Sequence, residues 1–423
     1  MEGFKIGRRE SLSHRLYQTL NGSVSRFSYC IFKRFPVPPR IINDLISTVV
    51  SGKSLAEVEE ASEFRSVRFG GRWTDSVETQ PDNEKELMEK VISSFNAARK
   101  MQANVSSPYQ PSGGWRDAFN DRMRYFYESI SRNDHEAVAG FLRNFFRNEG
   151  IYGLWTSETN PFRTFCSMGK SLQQKRELLI KRQYLAWKDS LPSVSLKELD
   201  APRVGNPWGY IFDDYLLYEP VFEYNYQAHY FSKLLNDIKT PTIIEIGGGF
   251  GGLAHHLLSY HPSIKYIGFD LPENIFIQTY YLSCIFPNAR ILTYQEGTPP
   301  LTLKQLNDYD IVLLPNFELK RAESLIADLI INVRSLSEMS SETITEYLTQ
   351  VDRLGRLFFF HENIYGRRKD ELFGISSAEF SPLRNFTQIS SSESRWPRYN
   401  KDSHYPCREN LFIRRLSSKQ AHN

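Results

Sequence analysis

The residues able to do chemistry fall into three groups. The first lies in residues 242–254, TIIEIGGGFGGLA, where an apolar strand-forming run turns through five glycines into a helix-forming segment. Gly247, Gly249 and Gly251 permit positive φ and close approach of backbone to a ligand, which suits a nucleotide-type cofactor. Glu245 stands two residues before the first of them; Asp270 ends the next apolar run, with Leu271 directly after it. An acid at that strand end suits two ribose hydroxyls. The second group is Asn332, Ser335 and Glu338, and the third is His361, Glu362 and Asn363; each follows an apolar run. An imidazole near a carboxylate makes a general base, because the carboxylate orients the ring and holds the imidazolium formed on proton transfer. His361 is therefore the expected base, aided by Glu338 or Glu362.

Taken alone, the glycines fit two cofactors, since Gly247, Gly249 and Gly252 also satisfy the G-x-G-x-x-G dinucleotide pattern. Glu245 separates the two. E-x-G-x-G-x-G resembles the loop of class I S-adenosylmethionine (SAM) methyltransferases, in which a first-strand acid can meet the charged amino-acid end of the cofactor. Beside a pyrophosphate the same carboxylate would face like charge. The expected contacts are Glu245, Gly247, Gly249, Gly251, Asp270 and Leu271, with Asn316 flanking the adenine and Asn332 at the next strand end. A methyl donor already carries its activation, so the protein must place a nucleophile, exclude water and remove a proton.

These residues need elements to hold them. From residue 242 onward β-type runs alternate with helical ones, the pattern of a doubly wound, Rossmann-like α/β sheet. Strands are expected at 243–246, 266–269, 311–314, 329–332 and 357–360, with 289–294 as an extra. Helices are expected at 252–260, 273–285, 319–325 and 341–353. Two β-type pieces, 387–391 and 410–414, form a closing antiparallel hairpin. In such a sheet ligands gather outside the carboxyl ends of the strands, where all three groups lie. Upstream, helical periodicity predicts helices at 82–102, 113–132, 134–148 and 170–190, with no β-type runs. The segment 204–210, VGNPWGY, breaks this pattern and marks the passage between the halves. Trp208 and Tyr210 offer flat faces of the kind that pack under a sugar ring. The helix at 224–235 leads into the first strand and makes Tyr226 and His229 substrate-side candidates, with Ser335 and Asn363.

A chain of 423 residues implies two domains: an α-helical cap over 1–203 and a cofactor-binding domain over 204–423. The net charge of +3 gives no case for nucleic acid. Residues 1–40 hold eight Lys/Arg against two acids, a basic arm expected to be solvated and mobile. The four cysteines form no C-x-x-C pair, and no apolar run approaches a membrane span. A cytoplasmic protein with reduced thiols is expected, with homo-oligomerisation left open. The adjacent His255 and His256 point in different directions on a helix, so no metal is expected.

Several separated motifs resemble the bacterial sugar O-methyltransferases, SAM-dependent enzymes associated with surface-polysaccharide genes. They are GNPWGY at 205–210, EIGGGFGG at 245–252, DLPEN at 270–274, YYLS at 280–283, SLSEM at 335–339 and FHENI at 360–364, with LRNFFR at 142–147 in the helical half. The resemblance spans most of residues 204–415 and implies cofactor contacts at Gly247, Gly249, Gly251 and Asp270. It implies methyl transfer to a sugar hydroxyl on a glycan or nucleotide-sugar. The alternatives are methylation of a non-sugar metabolite or peptide, and a non-catalytic module that keeps the SAM fold.

Overall fold

The computed structural model describes residues 67–77, 79–111, 114–117, 119, 123–151, 153–154, 161–365, 375–396 and 406–415. The basic arm over 1–40 lies outside them. Strand β1 (Phe69–Trp73) leads to helices α1 (Glu84–Gln102), α2 (Arg124–Ser131), α3 (His135–Arg143) and α4 (Lys170–Ser190). Strands β2 (Gly209–Phe212) and β3 (Tyr215–Leu217) precede α5 (Val221–Leu234). The main sheet begins with β4 (Thr242–Ile246), α6 (Gly252–Tyr260), β5 (Lys265–Asp270) and α7 (Pro272–Ile285). It continues through β6 (Ile291–Thr293), β7 (Ile311–Pro315), β8 (Ala327–Val333), α8 (Ser341–Leu354) and β9 (Gly355–Ile364). The hairpin β10 (Phe386–Glu393) and β11 (Cys407–Arg414) closes it.

The strand order is β10-β11-β9-β8-β4-β5-β7-β6. Strands β9 to β6 run parallel, and the closing hairpin is antiparallel. This is the mostly parallel, doubly wound sheet with a terminal antiparallel hairpin that the sequence predicts. The chain runs outward from β4 to β5 on one side and returns to β8 on the other, so the order reverses at the β4/β8 seam. A ligand crevice opens outside the carboxyl ends of the strands at such a reversal. The apolar runs are continuous, not alternating, because both faces are covered. Ile244, Ile246, Ile267, Phe269, Ile330 and Phe359 share one buried core with Ile344, Tyr347, Leu348 and Val351 of α8. The intervening residues face the other layer, where Tyr266 meets Gln278 of α7 and Phe360 meets Phe231 of α5.

Four expectations change. The N-terminal half does contain β-structure: β1 joins β2 and β3 in a three-stranded antiparallel sheet. All three strands are short, β1 and β2 carry glycine, and Gly71 sits at φ +81°. The segment at 204–210 runs into β2, a mostly buried strand. The helix expected at 319–325 is instead a 3-10 turn, Asn316–Arg321, after which Ala322 is extended. Between 113 and 132 the described helical pieces are Gly114–Asp117 and α2, and α3 stops at Arg143. Beyond it Phe145 and Phe146 are buried on a turn, where the Phe146 N–H donates to Gly205 O at 3.0 Å. Among the described residues no helix is long and apolar enough to cross a membrane.

The helical segments and the sheet belong to one unit, Val50–Arg414. Phe126 is the clearest fastener: its ring lies 4.4 Å from Phe141 of α3 and 4.7 Å from Phe276 of α7, and Phe95 of α1 also meets Phe276 at 5.3 Å. Phe126→Ala is expected to cost about 3–5 kcal/mol, with one cooperative unfolding transition shifted as a whole in chemical denaturation. A separate early transition of the helical segments would contradict that coupling.

Candidate functional site

The glycine loop between β4 and α6 is held from beneath, from both sides and from the front. Its backbone has φ of +76°, +59° and +95° at Gly247, Gly249 and Gly251, the positive values their spacing implies. Beneath it, Glu245 is buried, and its Oε2 accepts from the Tyr266 hydroxyl at 2.6 Å, which in turn accepts from Gln278 Nε2 at 3.0 Å. A Cβ on Gly248 would lie 3.0 Å from that carboxylate and 2.9 Å from Gln278 Nε2. Glu245 therefore points into the layer under the loop, and its described partners are protein groups. Burial pushes its carboxyl up to about 7. β4 alternation aims the side chain toward α7, with Oε2 taken by Tyr266.

Asp270 stands at the carboxyl end of β5. It accepts from the N–H groups of Gly249 at 2.9 Å and Leu271 at 2.7 Å, and from Asn274 Nδ2 at 2.9 Å. The carboxylate thus ties the loop to the next strand end. An ionised carboxylate has about four acceptor sites, and these three bonds leave about one for a ligand hydroxyl. Burial pushes its carboxyl up to about 6.

On the other side, the Asn332 amide donates to Ile246 O at 2.9 Å, and Ser335 Oγ donates to the same carbonyl at 3.2 Å. A Cβ on Gly247 would overlap Ser335 Oγ. Asn363 Nδ2 donates to Asn332 Oδ1 at 2.8 Å, and Asn363 Oδ1 accepts from the Ser337 N–H at 3.1 Å. Asn332 and Asn363 are both fully buried, so they brace the loops; the cofactor role expected of Asn332 and the substrate role expected of Asn363 become structural ones. Asn316 is also buried, with Nδ2 donating to Tyr109 O at 3.0 Å and Tyr347 Oη at 2.8 Å. In front, Leu154 lies 3.6 Å from where a Cβ on Gly249 would sit, and Trp115 Nε1 donates to Glu338 Oε2 at 3.0 Å. The helical segments therefore reach the mouth of the loop. Trp115 and Leu154 carried no motif, and nothing in the sequence pointed to them.

The expected base is not assembled as drawn. His361 and Glu362 are consecutive on β9, so their side chains leave opposite faces of the sheet. His361 packs among Phe359, Phe380 and Phe412, with Asn363 Nδ2 3.4 Å from its Nδ1. Burial pulls its imidazole down to about 3, so it is neutral and a weak proton acceptor at ordinary pH. Glu362, fully buried on the other face, accepts from Ser394 Oγ at 2.9 Å and lies 3.1 Å from Arg334 Nη1. Burial and the neighbouring Glu223 push its carboxyl up to about 8. Of the three acids and bases expected, only Glu338 is exposed.

The remaining substrate candidates are packed by protein. Trp208 is 3% exposed, donates its indole N–H to Phe146 O at 2.7 Å and meets Phe165 at 4.5 Å. Tyr210 is buried between Phe69 and Phe165. No face is left on either ring for a sugar to stack on. Tyr226 is buried under the Arg395 guanidinium, 3.9 Å from its ring. His229 Nε2 lies 2.8 Å from Glu198 Oε2, with its ring 3.8 Å from Tyr260. Helix α5 packs alongside α6 and meets the loop through Tyr224, whose ring lies 6.1 Å from that of Phe250.

No protein-family model matches the chain, and no curated protein matches it. Among solved structures the chain is similar to the small RNA methyltransferase HEN1, at 15% identity and a TM-score of 0.33, over 45% of this chain and 25% of that one. It is similar to magnesium protoporphyrin IX methyltransferase ChlM from Synechocystis PCC 6803 with bound SAH, at 12% identity and a TM-score of 0.31, over 46% and 87%. It is also similar to the N-methyltransferase NodS from Bradyrhizobium japonicum WM9, in complex with S-adenosyl-L-homocysteine, at 12% identity and a TM-score of 0.32, over 46% and 87%.

A pH dependence follows from Asp270. Its carboxyl is raised from 3.8 to about 6, so lowering the pH through 6 protonates it and removes an acceptor. Ligand hydroxyls favour the ionised form, and binding near pH 6 should release a proton. S-adenosylhomocysteine (SAH) affinity measured by calorimetry should fall as the pH drops from 7 to 5. Asp270→Asn should bind weakly throughout and lose most of that slope; an unchanged slope in the variant would exclude Asp270 as its source.

Proposed function

We propose that this chain is a SAM-dependent O-methyltransferase acting on a hydroxyl of a sugar, in a glycan or nucleotide-sugar of surface-polysaccharide or glycoside biosynthesis. The observation that carries the cofactor assignment is the pairing of the positive-φ glycine loop, supported by a buried acid, with Asp270 at the adjacent strand end. A cradle without Cβ atoms beside an acceptor for ribose hydroxyls fits a nucleoside with an amino-acid tail. Asp270 alone also suits the ribose of a dinucleotide, and the parallel NAD titration below separates the two. The sugar acceptor is supported by the motif resemblance of the DLPEN and SLSEM segments.

In this reading Gly247 to Gly251 cradle the cofactor, and Asp270 accepts from its ribose. The bound cofactor supplies an activated methyl group. Glu338, exposed at the strand ends and held by Trp115, takes the proton of the acceptor hydroxyl as the new C–O bond forms and SAH is left. This role passes to Glu338 from His361, which is buried in an aromatic wall. The division into a cap over 1–203 and a cofactor domain over 204–423 is part of the same reading, with the cap shaping the acceptor side through Trp115 and Leu154.

Calorimetric titration with SAM, SAH and NAD in parallel tests the cofactor: SAM or SAH should bind and NAD should not, and the reverse would assign the loop to a redox enzyme. Against a panel of methyl glycosides and nucleotide-sugars, Glu338→Gln should keep SAH binding and lose about 10²–10⁴-fold of SAH-forming turnover. Turnover at the wild-type rate in Glu338→Gln would remove Glu338 from the proton-transfer role.

A further inference from the structure

Beside the loop lies a charged cluster that the chemistry above does not use. Arg334 follows β8 directly and has φ +58°, a left-handed conformation that non-glycine residues rarely adopt. Its guanidinium Nη1 contacts both Glu223 of α5 and Glu362 of β9, which are 3% and 0% exposed. Its backbone N–H donates to Glu362 O at 2.6 Å. Gln227 Nε2 joins the same pair, at 3.3 Å from Glu223 Oε1 and 3.3 Å from Glu362 Oε2. Two buried carboxylates thus share one guanidinium at the carboxyl ends of β8 and β9.

Stability alone gives no reason for this arrangement. Buried ion pairs are commonly no better than apolar packing of the same volume, and strained backbone persists where a site needs a particular geometry. What the arrangement fixes is the next residue. Ser335 lies on the other side of the turn, with its hydroxyl against Gly247 and donating to Ile246 O. If Arg334 relaxed to an ordinary φ, Ser335 would swing away from the glycine loop.

We propose that Arg334 is a positioning residue for the cofactor loop: anchored by Glu223 and Glu362, it holds the turn after β8 in its left-handed form and so sets Ser335 against Gly247. The inference rests on the reading of that loop as a SAM site. Arg334 acts through Ser335, so removing either should have the same effect on ligand binding as removing both.

The test is a double-mutant cycle in the full chain, with SAH as the probe in calorimetry and thermal unfolding as the folding control. Arg334→Lys keeps the charge but loses the forked geometry, and Ser335→Ala removes the hydroxyl. Each should weaken SAH about tenfold, and the double variant also about tenfold, not the hundredfold expected of independent sites. Arg334→Gly, which accepts the left-handed φ without a guanidinium, should bind better than Arg334→Lys despite a lower melting temperature. Wild-type affinity in Arg334→Lys or Ser335→Ala, or additive losses in the double variant, overturns the positioning role alone. Absence of SAH binding by the wild type overturns the SAM reading together with this inference.

Discussion

The arrangement of the site depends on one buried hydrogen bond, that between the Tyr266 hydroxyl and the Glu245 carboxyl. It occupies the space under Gly248 in which any side chain would collide, and so fixes the height of the glycine loop above the sheet. A buried carboxyl without a partner is costly. Here the phenol and Gln278 supply the partners, and the raised pKa of Glu245 keeps its charge low. Above this base the loop can expose its backbone only because glycines occupy the positive-φ positions.

Two further supports act on the same few peptides. Asp270 receives the Gly249 N–H from the β5 side, while Asn332 and Ser335 hold Ile246 O from the β8 side. The β4/β8 reversal of strand order makes this possible, since it brings ends from both halves of the sheet to one crevice. The helical segments close the front through Leu154 and through Trp115 on Glu338. Burial explains which acids and bases stay available: the sheet takes in His361 and Glu362, and the loop after it leaves Glu338 outside.

Much of the sheet was legible in the sequence because buried parallel strands are continuous apolar runs. Residues 243–246, 266–269 and 311–314 needed no long-range information. The three-stranded sheet was hidden because FGGRW and YLL are short, glycine-bearing or without alternation. The 319–325 segment misled for another reason: its residues are good helix formers, but Arg321 bonds to Glu318 and to Thr298 O, and the chain leaves the turn extended. In the site, the positive-φ glycines and the placing of Asp270 at a strand end followed from spacing. That His361 and Glu362 point apart was also legible, since neighbours on a strand face opposite ways. The packing of Trp208 and Tyr210 was not, because it is set by Phe146 and Phe165, far away in sequence.

The most direct test of the central claim is a crystal structure of the chain with SAH. The account predicts the ligand over Gly247–Gly251, with a ribose hydroxyl on the Asp270 carboxylate and Glu245 still bonded to Tyr266 beneath the loop. A ligand seated elsewhere, or one that draws Glu245 out of its bond to Tyr266, would contradict it.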